Sequence, residues 1–194
     1  NGYLIKLLPI PKDADYRVCI ERSIEQRLAG MLVQNIGPQM FEYLHAETSR
    51  FRIPVALIDD PPPQDWAARV TSDDAGGLKL AIEHLKELGH RRIGFIAAQA
   101  NSPLSIARAR LFRDLIRKAN LPVSGNCVVW SDWQEPEIIE SCVCEFLTSA
   151  QPRPTALLCA GDMIAMSTLR AARALGIGLP RELSVVGFAD LRMA

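Results

Sequence analysis

The chain has 194 residues, of which 48% are hydrophobic and 23% are charged, so it can build the core of one large or two small globular domains. Its 22 Lys and Arg residues equal its 22 Asp and Glu residues, which makes the formal net charge zero. Because a segment that itself grips nucleic-acid phosphates carries a basic excess, the neutral balance argues against direct nucleic-acid binding by these residues.

Short apolar strands and helices are predicted to alternate along the chain. The strands are expected at 3–9, 30–35, 53–59, 69–72, 92–97, 127–130, 155–160 and 183–188, and the helices at about 13–28, 38–50, 73–89, 103–119, 135–148 and 162–175. Because parallel strands need crossover helices between them, this alternation predicts parallel sheets covered by helices on both faces. The predicted fold class is therefore α/β.

Five cysteines, at positions 19, 127, 142, 144 and 159, lie mostly within apolar runs. They form no CxxC pair and no Cys/His spacing suited to zinc, so the sequence predicts reduced, buried thiols in a cytoplasmic protein. No stretch approaches the roughly 18 consecutive apolar residues of a membrane span. We expect no membrane partner, no metal and no cofactor.

Polar and aromatic residues collect where the predicted strands end. In open α/β sheets, ligands bind beyond the carboxyl ends of the strands, where loops lead into helix N-termini. Most of the unusual polar and aromatic residues of the chain fall there: Asp59, Ser72 with Asp73, residues 98–108, residues 130–133, Gly161 with Asp162, and Ala189 with Asp190.

Catalytic chemistry finds little support in this set. His45 and His84 fall on helices and His90 in the turn before a strand, so no Ser-His-Asp or Cys-His arrangement is predicted. The chain also has no GxSxG elbow, Walker loop or GxGxxG loop. We therefore predict no catalytic residue, and an enzyme on this fold stays the weaker alternative. The basic turn "HRR" at 90–92 lies at the amino end of its strand, where a structural role is expected.

Four aspartates could hold a metal or act as acid or base in principle: Asp59, Asp60, Asp73 and Asp74. In the structural alternative, Asp73 or Asp74 caps the helix that follows, and Asp60 is solvated beside its prolines.

The predicted helix at 103–119 opens with two arginines. Arg108 and Arg110 are two residues apart, so they face different directions and only one can point toward a ligand. Trp133 follows another strand end and offers an aromatic plane, as sugar- and base-binding sites do. The structural alternatives are solvated arginines and a tryptophan packed in the core.

Several stretches together resemble the effector-binding, dimerising core of the lactose/galactose-repressor family: "IEQRLAGMLV", "VTSDDAGGLKLAIEHLKELGHRRIGFIA", "ARARLFRD" and "PTALLCAGDMIAMSTLRAARALGIGLPRELSVVGFAD". The resemblance runs in one order from about residue 2 to residue 190. "EHLKELGHRRIGFI" and the pattern P-x-E-L-S-V-V-G-F are among the most distinctive stretches of the family.

The resemblance implies two Rossmann-like subdomains of the periplasmic-binding-protein-like (type I) fold, at 1–72 and 73–194, which close over a small effector. Family members are bacterial transcription regulators that act as dimers and hold operator DNA through an upstream helix-turn-helix and hinge helix. That DNA-binding part, the first core strand and helix, and the last crossover strands have no match here. The sequence is therefore expected to be a core truncated at both ends.

Position by position, the effector-anchoring arginine of the family falls on Arg108, four residues before an aromatic, with Arg110 as the alternative. Leu111 takes the place of the usual glycine between them and the aromatic. Asp59 matches the acidic position that accepts hydrogen bonds from sugar hydroxyls. Trp133 matches the aromatic that stacks on the ligand.

Two further positions follow from the resemblance. Ser72 lies at a crossover and at the edge of the implied cleft. Arg27 matches an arginine near the dimer and cleft side, for which a structural role is expected.

The chain departs from the sugar-binding members at two places. Gly161-Asp162 stands where they carry Asn-Asp, and Ala189-Asp190 stands where they carry Asp-Asp. The missing side chains are main hydrogen-bonding partners of polyols, and each such bond contributes about 1–3 kcal/mol. Their loss argues against an ordinary hexose and leaves a less polar, larger or anionic effector, with Arg108 available to pair a carboxylate or phosphate.

The expected function is therefore effector sensing. A sugar derivative, a sugar acid or phosphate, or another small metabolite binds in the cleft and shifts the affinity of a homodimer for operator DNA. A periplasmic solute-binding protein of the same fold is the alternative, and it would need an export signal. The free cysteines and "GHRRIGFI" favour the regulator.

Overall fold

A computed structural model of the chain describes residues 2, 4–8, 15–34, 40–58, 64–122, 127–133 and 135–191. The chain divides into two units, Asn1–Ser72 (unit 1) and Asp73–Ala194 (unit 2). Each unit contains its own parallel sheet and its own hydrophobic cluster, as the alternation of strands and helices predicts.

Unit 1 is built from α1 (Tyr16–Glu25), β1 (Met31–Gln34), α2 (Phe41–Arg50), β2 (Val55–Ile58) and β3 (Ala68–Val70). Its strands are parallel in the order β1-β2-β3. The apolar faces of α1 and α2 meet β1 and β2 in one cluster, which consists of Ile20, Ile24, Met31, Phe41, Leu44, Val55 and Leu57. The Tyr43 hydroxyl donates a hydrogen bond of 2.5 Å to Glu21 and thereby joins α2 to α1.

Unit 2 contains α3 (Asp74–Glu87), β4 (Ile93–Ala97), α4 (Pro103–Lys118), β5 (Val128–Trp130), α5 (Pro136–Ser149), β6 (Ala156–Cys159), α6 (Asp162–Ala174) and β7 (Ser184–Val186). All neighbouring strands are parallel, in the order β5-β4-β6-β7. The chain leaves β4 toward β5 on one side and leaves β6 toward β7 on the other. The topological switch point therefore lies at the carboxyl ends of the paired strands β4 and β6, where ligands bind in such sheets.

The central strands of unit 2 are apolar on both faces because helices cover both sides. Every residue of β4 and of β6 is buried. Phe95 of β4 stacks on Phe112 of α4, with 5.1 Å between ring centroids, and both side chains are fully buried. Burial of this kind contributes roughly 1.5–3 kcal/mol per large apolar side chain, so this stack fixes α4 against the sheet.

The basic turn at 90–92 has the structural role that the sequence predicts. His90 Nδ1 lies 2.9 Å from the Thr155 hydroxyl, and Nε2 lies 3.0 Å from the Ser184 hydroxyl. Arg92 Nε donates to the Arg153 carbonyl at 2.9 Å. These contacts join the amino ends of β4, β6 and β7. We call residues 90–92, 153–155 and 181–184 the amino edge of unit 2.

The predicted strand at 3–9 is wrong for its described part. Residues 4–8 have no strand structure, and Leu4, Ile5 and Leu7 are at least 84% exposed. A strand needs hydrogen bonds from a neighbour, and β1 pairs only with β2 among the described strands. The apolar sequence alone therefore does not make this segment a strand.

The five cysteines are all free thiols. Cys127 and Cys159 are buried and the other three are partly buried. None of the described helices is long and apolar enough to cross a membrane.

Candidate functional site

The candidate site lies where the strands of unit 2 end. We call residues 73–77, 98–108, 131–133, 160–162 and 187–191 the carboxyl edge of unit 2. The loop after β4 runs into the N-terminus of α4, which Ser102 caps, and the short turn after β6 runs into α6. These two loops flank the switch point, so side chains from α4 and from the β6–α6 turn meet there.

Arg108 connects three parts of the carboxyl edge. Its Nε and Nη2 donate to the two carboxylate oxygens of Asp74, at 2.6 and 2.9 Å, and Nη1 donates to the Ala160 carbonyl at 3.3 Å. The two paired side chains are only 12% and 15% exposed. The Arg108 guanidinium carbon also lies 5.1 Å from the centroid of the Phe188 ring. The arginine thus ties α3, α4, the β6–α6 turn and the segment after β7 together.

The ion pair changes what Arg108 can offer a ligand. The sequence leaves this side chain available to pair a carboxylate or phosphate, whereas in the structure Asp74 already occupies its bidentate face. A guanidinium has five N–H donors, and the bonds to described residues use three of them. Two donors remain for a ligand acceptor, in a site where the positive charge is already compensated.

The two consecutive aspartates at the start of α3 have different roles. Asp73 is the N-cap, and its side chain accepts a hydrogen bond of 2.9 Å from the Gly76 amide. Asp74 is the first helical residue and turns its carboxylate to Arg108. The capping alternative is therefore confirmed for Asp73. The ion pair of Asp74 was missed, because nothing in the sequence couples it to an arginine on the next helix.

Trp133 lies against the β6–α6 turn. The ring is partly buried and packs on the hydrophobic cluster of unit 2. A Cβ added to Gly161 would lie 3.0 Å from Trp133 Cζ3. The indole therefore packs on the core, as the structural alternative expects, and lies at the carboxyl edge.

The segment after β7 completes the edge. Phe188 lies against Gly77 of α3, where an added Cβ would approach its ring to 2.7 Å. Ala189 and Asp190 are exposed and have φ values of 102° and 53°. The Asp162 carboxylate accepts a hydrogen bond of 2.7 Å from the Leu191 amide and holds this segment against the start of α6.

Polar side chains in the loops after β4 and β5 bond to one another. Gln99 Nε2 donates to Asp132 at 2.8 Å, and the Ser131 hydroxyl donates to the Ala97 carbonyl at 2.7 Å. These bonds hold the two loops side by side and position Trp133 one residue beyond Asp132.

The remaining predicted site residues fall elsewhere. Arg110 is exposed on α4, so of the two arginines it is Arg108 that reaches the carboxyl edge. Ser72 is exposed and is the last residue of unit 1. Arg27 is exposed with φ of 53° after α1. Asp59 and Asp60 lie outside the described residues.

Nucleophilic and metal chemistry gain no support at this edge. Burial raises the pKa of the Cys159 thiol to about 12, and its sulfur lies 3.5 Å from the Thr168 hydroxyl. A thiol of this kind stays protonated and inert at neutral pH. In the part of the chain that the structure describes, no three His, Cys, Asp or Glu side chains gather to hold a metal ion.

Comparison with known families agrees with this architecture. Residues 82–194, more than half of the chain, match the family described as periplasmic binding protein-like domain. The chain is 29% identical over 185 residues to the HTH-type transcriptional repressor PurR of Klebsiella pneumoniae (strain 342), covering 92% of this chain and 52% of the relative. It is 34% identical over 143 residues to the PurR repressor of Yersinia pestis (strain Pestoides F), covering 73% of this chain and 41% of the relative. The chain thus spans about half the length of the curated relatives that it matches.

A solved structure shows the same fold. A regulatory protein of the LacI family from Chloroflexus aggregans superposes with a TM-score of 0.79 at 24% identity, covering 96% of this chain and 66% of that chain. The chain therefore belongs to the family of periplasmic binding protein-like domains.

Proposed function

We propose that the chain is the effector-sensing, dimerising core of a cytoplasmic transcription regulator. A small molecule binds at the carboxyl edge of unit 2 and shifts an equilibrium between two arrangements of the protein. The affinity of the homodimer for operator DNA changes with that equilibrium, and the DNA is held by a helix-turn-helix such as the one in the names of the relatives.

The observation that carries the proposal is the convergence on Arg108. One partly buried guanidinium joins Asp74, Ala160 and Phe188 at the switch point of the sheet, and it keeps two donors for a ligand. Because these contacts already fix the position of the guanidinium, the arginine is pre-organised. A ligand that accepts its remaining hydrogen bonds therefore loses little free energy in ordering the side chain.

The site residues of the proposal follow from their positions. Arg108 donates to the effector, Trp133 lies on its ring or carbon face, and Gly161, Ala189 and Asp190 border it. Asp59, Ser72 and Arg110 stay sequence-based candidates, of which Asp59 is assigned to accept hydrogen bonds from effector hydroxyls. The role is binding rather than catalysis, and it is supported by relatives that are named repressors and not enzymes or transport proteins.

A thermal-shift screen tests the proposal. The chain is melted with sugars, sugar acids, sugar phosphates and nucleobases, because a ligand that binds only the folded state adds about 2.7 kcal/mol of stability at 100 times its Kd. We expect one class to raise the Tm. Arg108→Lys keeps a charge for Asp74 but loses the planar fork, so it should remove at least half of that rise.

Arg117→Lys is the matched control, because it makes the same substitution at an exposed position on the same helix that has no proposed ligand role. It should leave the ligand-induced rise unchanged. An equal rise in Arg108→Lys and in the wild type would contradict the assignment of Arg108. A screen in which no compound class raises the Tm would contradict effector binding.

A further inference from the structure

The amino edge of unit 2 is strongly basic, although the whole chain has no net charge. Its single carboxylate is that of Glu182, and it carries four arginines: Arg91, Arg92, Arg153 and Arg181. Arg92 donates to the Arg153 carbonyl, and Arg153 pairs with Glu182, so these two arginines help to hold the edge together. Arg91 and Arg181 are exposed, and among the described residues neither has a hydrogen-bonding or ionic partner. The N–H donors of both guanidinium groups are therefore open to a partner.

Two exposed leucines lie at the same end of unit 2. Leu88 is the C-cap of α3 and Leu175 is the C-cap of α6, and they are 61% and 37% exposed. Helices that connect parallel strands run antiparallel to them, so they end beside the amino ends of the strands. The cap itself does not call for leucine, because α4 also ends before a residue of positive φ and has Ala119 as its C-cap.

The positive charge alone has a structural explanation, whereas the leucines do not. Basic side chains near the C-termini of helices interact favourably with the helix dipoles, and α3, α4 and α6 all have basic residues in their last turns. Exposed leucines contribute nothing to that interaction. Apolar side chains bordered by polar ones mark surfaces that bind other proteins, and arginine is enriched in such interfaces.

The chemistry of the amino edge favours an acidic protein segment over a nucleic acid. A phosphate backbone gives Leu88 and Leu175 no apolar contact, and its charges would be repelled by the exposed carboxylate of Glu182. A protein segment supplies both carboxylates and apolar side chains. The pair between Arg153 and Glu182, at 3.4 Å, shows that a carboxylate fits against the guanidinium groups of this edge.

We propose that the amino edge, together with Leu88 and Leu175, docks an acidic segment of a partner protein that also carries apolar side chains. Carboxylates of the segment pair with Arg91 and Arg181, whose planar forks bind two oxygens at once. Apolar side chains of the segment cover the two leucines and remove them from water. The carboxyl edge is at the other end of the strands, so this docking leaves the proposed effector site open.

Fluorescence anisotropy of three labelled probes with the 194-residue chain tests this proposal. The first probe is a peptide of three Asp-Leu-Glu-Glu repeats (the leucine peptide). The second has serine in place of each leucine (the serine peptide), and the third is a DNA duplex of about 20 base pairs. At about 0.15 M salt, we expect the leucine peptide to bind at least five times more tightly than the serine peptide or the duplex. Its Kd should rise with added salt, because exposed ion pairs are screened.

Reversal of the two open arginine charges should weaken the leucine peptide. Arg91→Glu combined with Arg181→Glu places carboxylates where the peptide carboxylates bind, so we expect Kd to rise at least tenfold. Arg22→Glu combined with Arg52→Glu is the matched control, since it makes the same change of net charge at two exposed positions of unit 1. The control should change Kd less than twofold. Equal weakening in the two double variants would overturn the proposal, because the peptide would then respond only to net charge.

Removal of the two leucines tests the apolar part of the proposal. Leu88→Ala combined with Leu175→Ala should weaken the leucine peptide at least threefold and leave the serine peptide unchanged. The variant is expected to fold, since Ala119 already occupies the same position at the end of α4. An unchanged Kd for the leucine peptide would overturn the proposal, as would failure of that peptide to bind to the wild type. Tighter binding of the duplex would also overturn it and would make the amino edge a phosphate-binding surface.

Discussion

Ala189 and Asp190 concentrate backbone strain at the edge where the effector is proposed to bind. Both have positive φ, and the value of 102° at Ala189 lies beyond the left-handed region that non-glycine residues visit. Such a conformation costs roughly 1–3 kcal/mol and persists only where neighbouring contacts impose it. The bond from the Leu191 amide to Asp162 is a contact of this kind.

Ala189→Gly should therefore stabilise unit 2. Glycine adopts φ of 102° without a Cβ clash, and this relief exceeds the entropy that glycine adds to the unfolded chain, so we expect a gain of about 1 kcal/mol. Urea unfolding measures the change. Ala107→Gly, the same substitution at an exposed position within α4, should instead cost about 1 kcal/mol. A loss of stability in both variants would contradict strain at Ala189.

The start of α3 shows how helices are positioned at the carboxyl edge of unit 2. In α3, the capping of Gly76 by Asp73 leaves Asp74 in the first turn, where it faces Arg108 on α4. A carboxylate in the first turn also interacts favourably with the helix dipole. One short stretch thus fixes both where α3 begins and how α3 is joined to α4.

Removal of the cap should cost more than removal of an exposed ion pair. Asp73→Ala leaves the Gly76 amide without its acceptor, so we expect a loss of about 1 kcal/mol in the free energy of unfolding. Asp114→Ala removes the i,i+3 pair with Arg117 on the surface of α4, which is worth about 0.5 kcal/mol or less. Chemical denaturation distinguishes the two, and equal losses would show that Asp73 does not act as a cap.

The amino edge should make the stability of unit 2 depend on pH. Burial lowers the pKa of His90 from its ordinary value of 6.5, so the unfolded state binds the proton more readily than the folded state. The contribution of the neutral ring is full above about pH 6.5 and is lost as the pH falls through the lower, folded-state pKa. Unfolding free energies measured from pH 8 to pH 5 should decrease over that lower range.

Two histidine variants test whether His90 is the group responsible for this pH dependence of the unfolding free energy. His90→Asn keeps hydrogen-bonding groups but does not titrate, so it should flatten the decrease. His84→Asn, at an exposed position on α3, should leave the decrease as it is in the wild type. The same slope in His90→Asn and the wild type would mean that another group titrates.

For the whole molecule, the sequence predicts what depends on local pattern and misses what depends on distant neighbours. The helices and strands of unit 2 lie within a residue or two of their predicted bounds, since caps and buried apolar runs define them. The partner of Arg108 is 34 positions away on another helix, and no periodicity indicates such a pair. The segment at 4–8 is apolar enough for a strand but has no strand beside it in the described chain.

The same distinction between local pattern and distant contacts applies to the residues of the candidate site. Loop positions after β5, β6 and β7 follow from the order of elements, so Trp133, Gly161 and Ala189 could be named as candidates from sequence, whereas Arg108 is favoured over Arg110 only by the family resemblance. The contact between Trp133 and Gly161 could not, because it depends on how the β5–α5 loop lies across the β6–α6 turn. Unit 2 thus has an amino edge that side-chain hydrogen bonds join together, with a structural role, and a carboxyl edge that carries the candidate site.

Amide hydrogen exchange tests the central claim, that the effector binds at the carboxyl edge. The 194-residue chain is measured with and without a compound that raises its Tm. We predict slower exchange in peptides that cover 98–102, 131–133, 160–162 and 187–191, and unchanged exchange in those that cover 90–92, 153–155 and 181–184. Protection at the amino edge with none at the carboxyl edge would contradict the account.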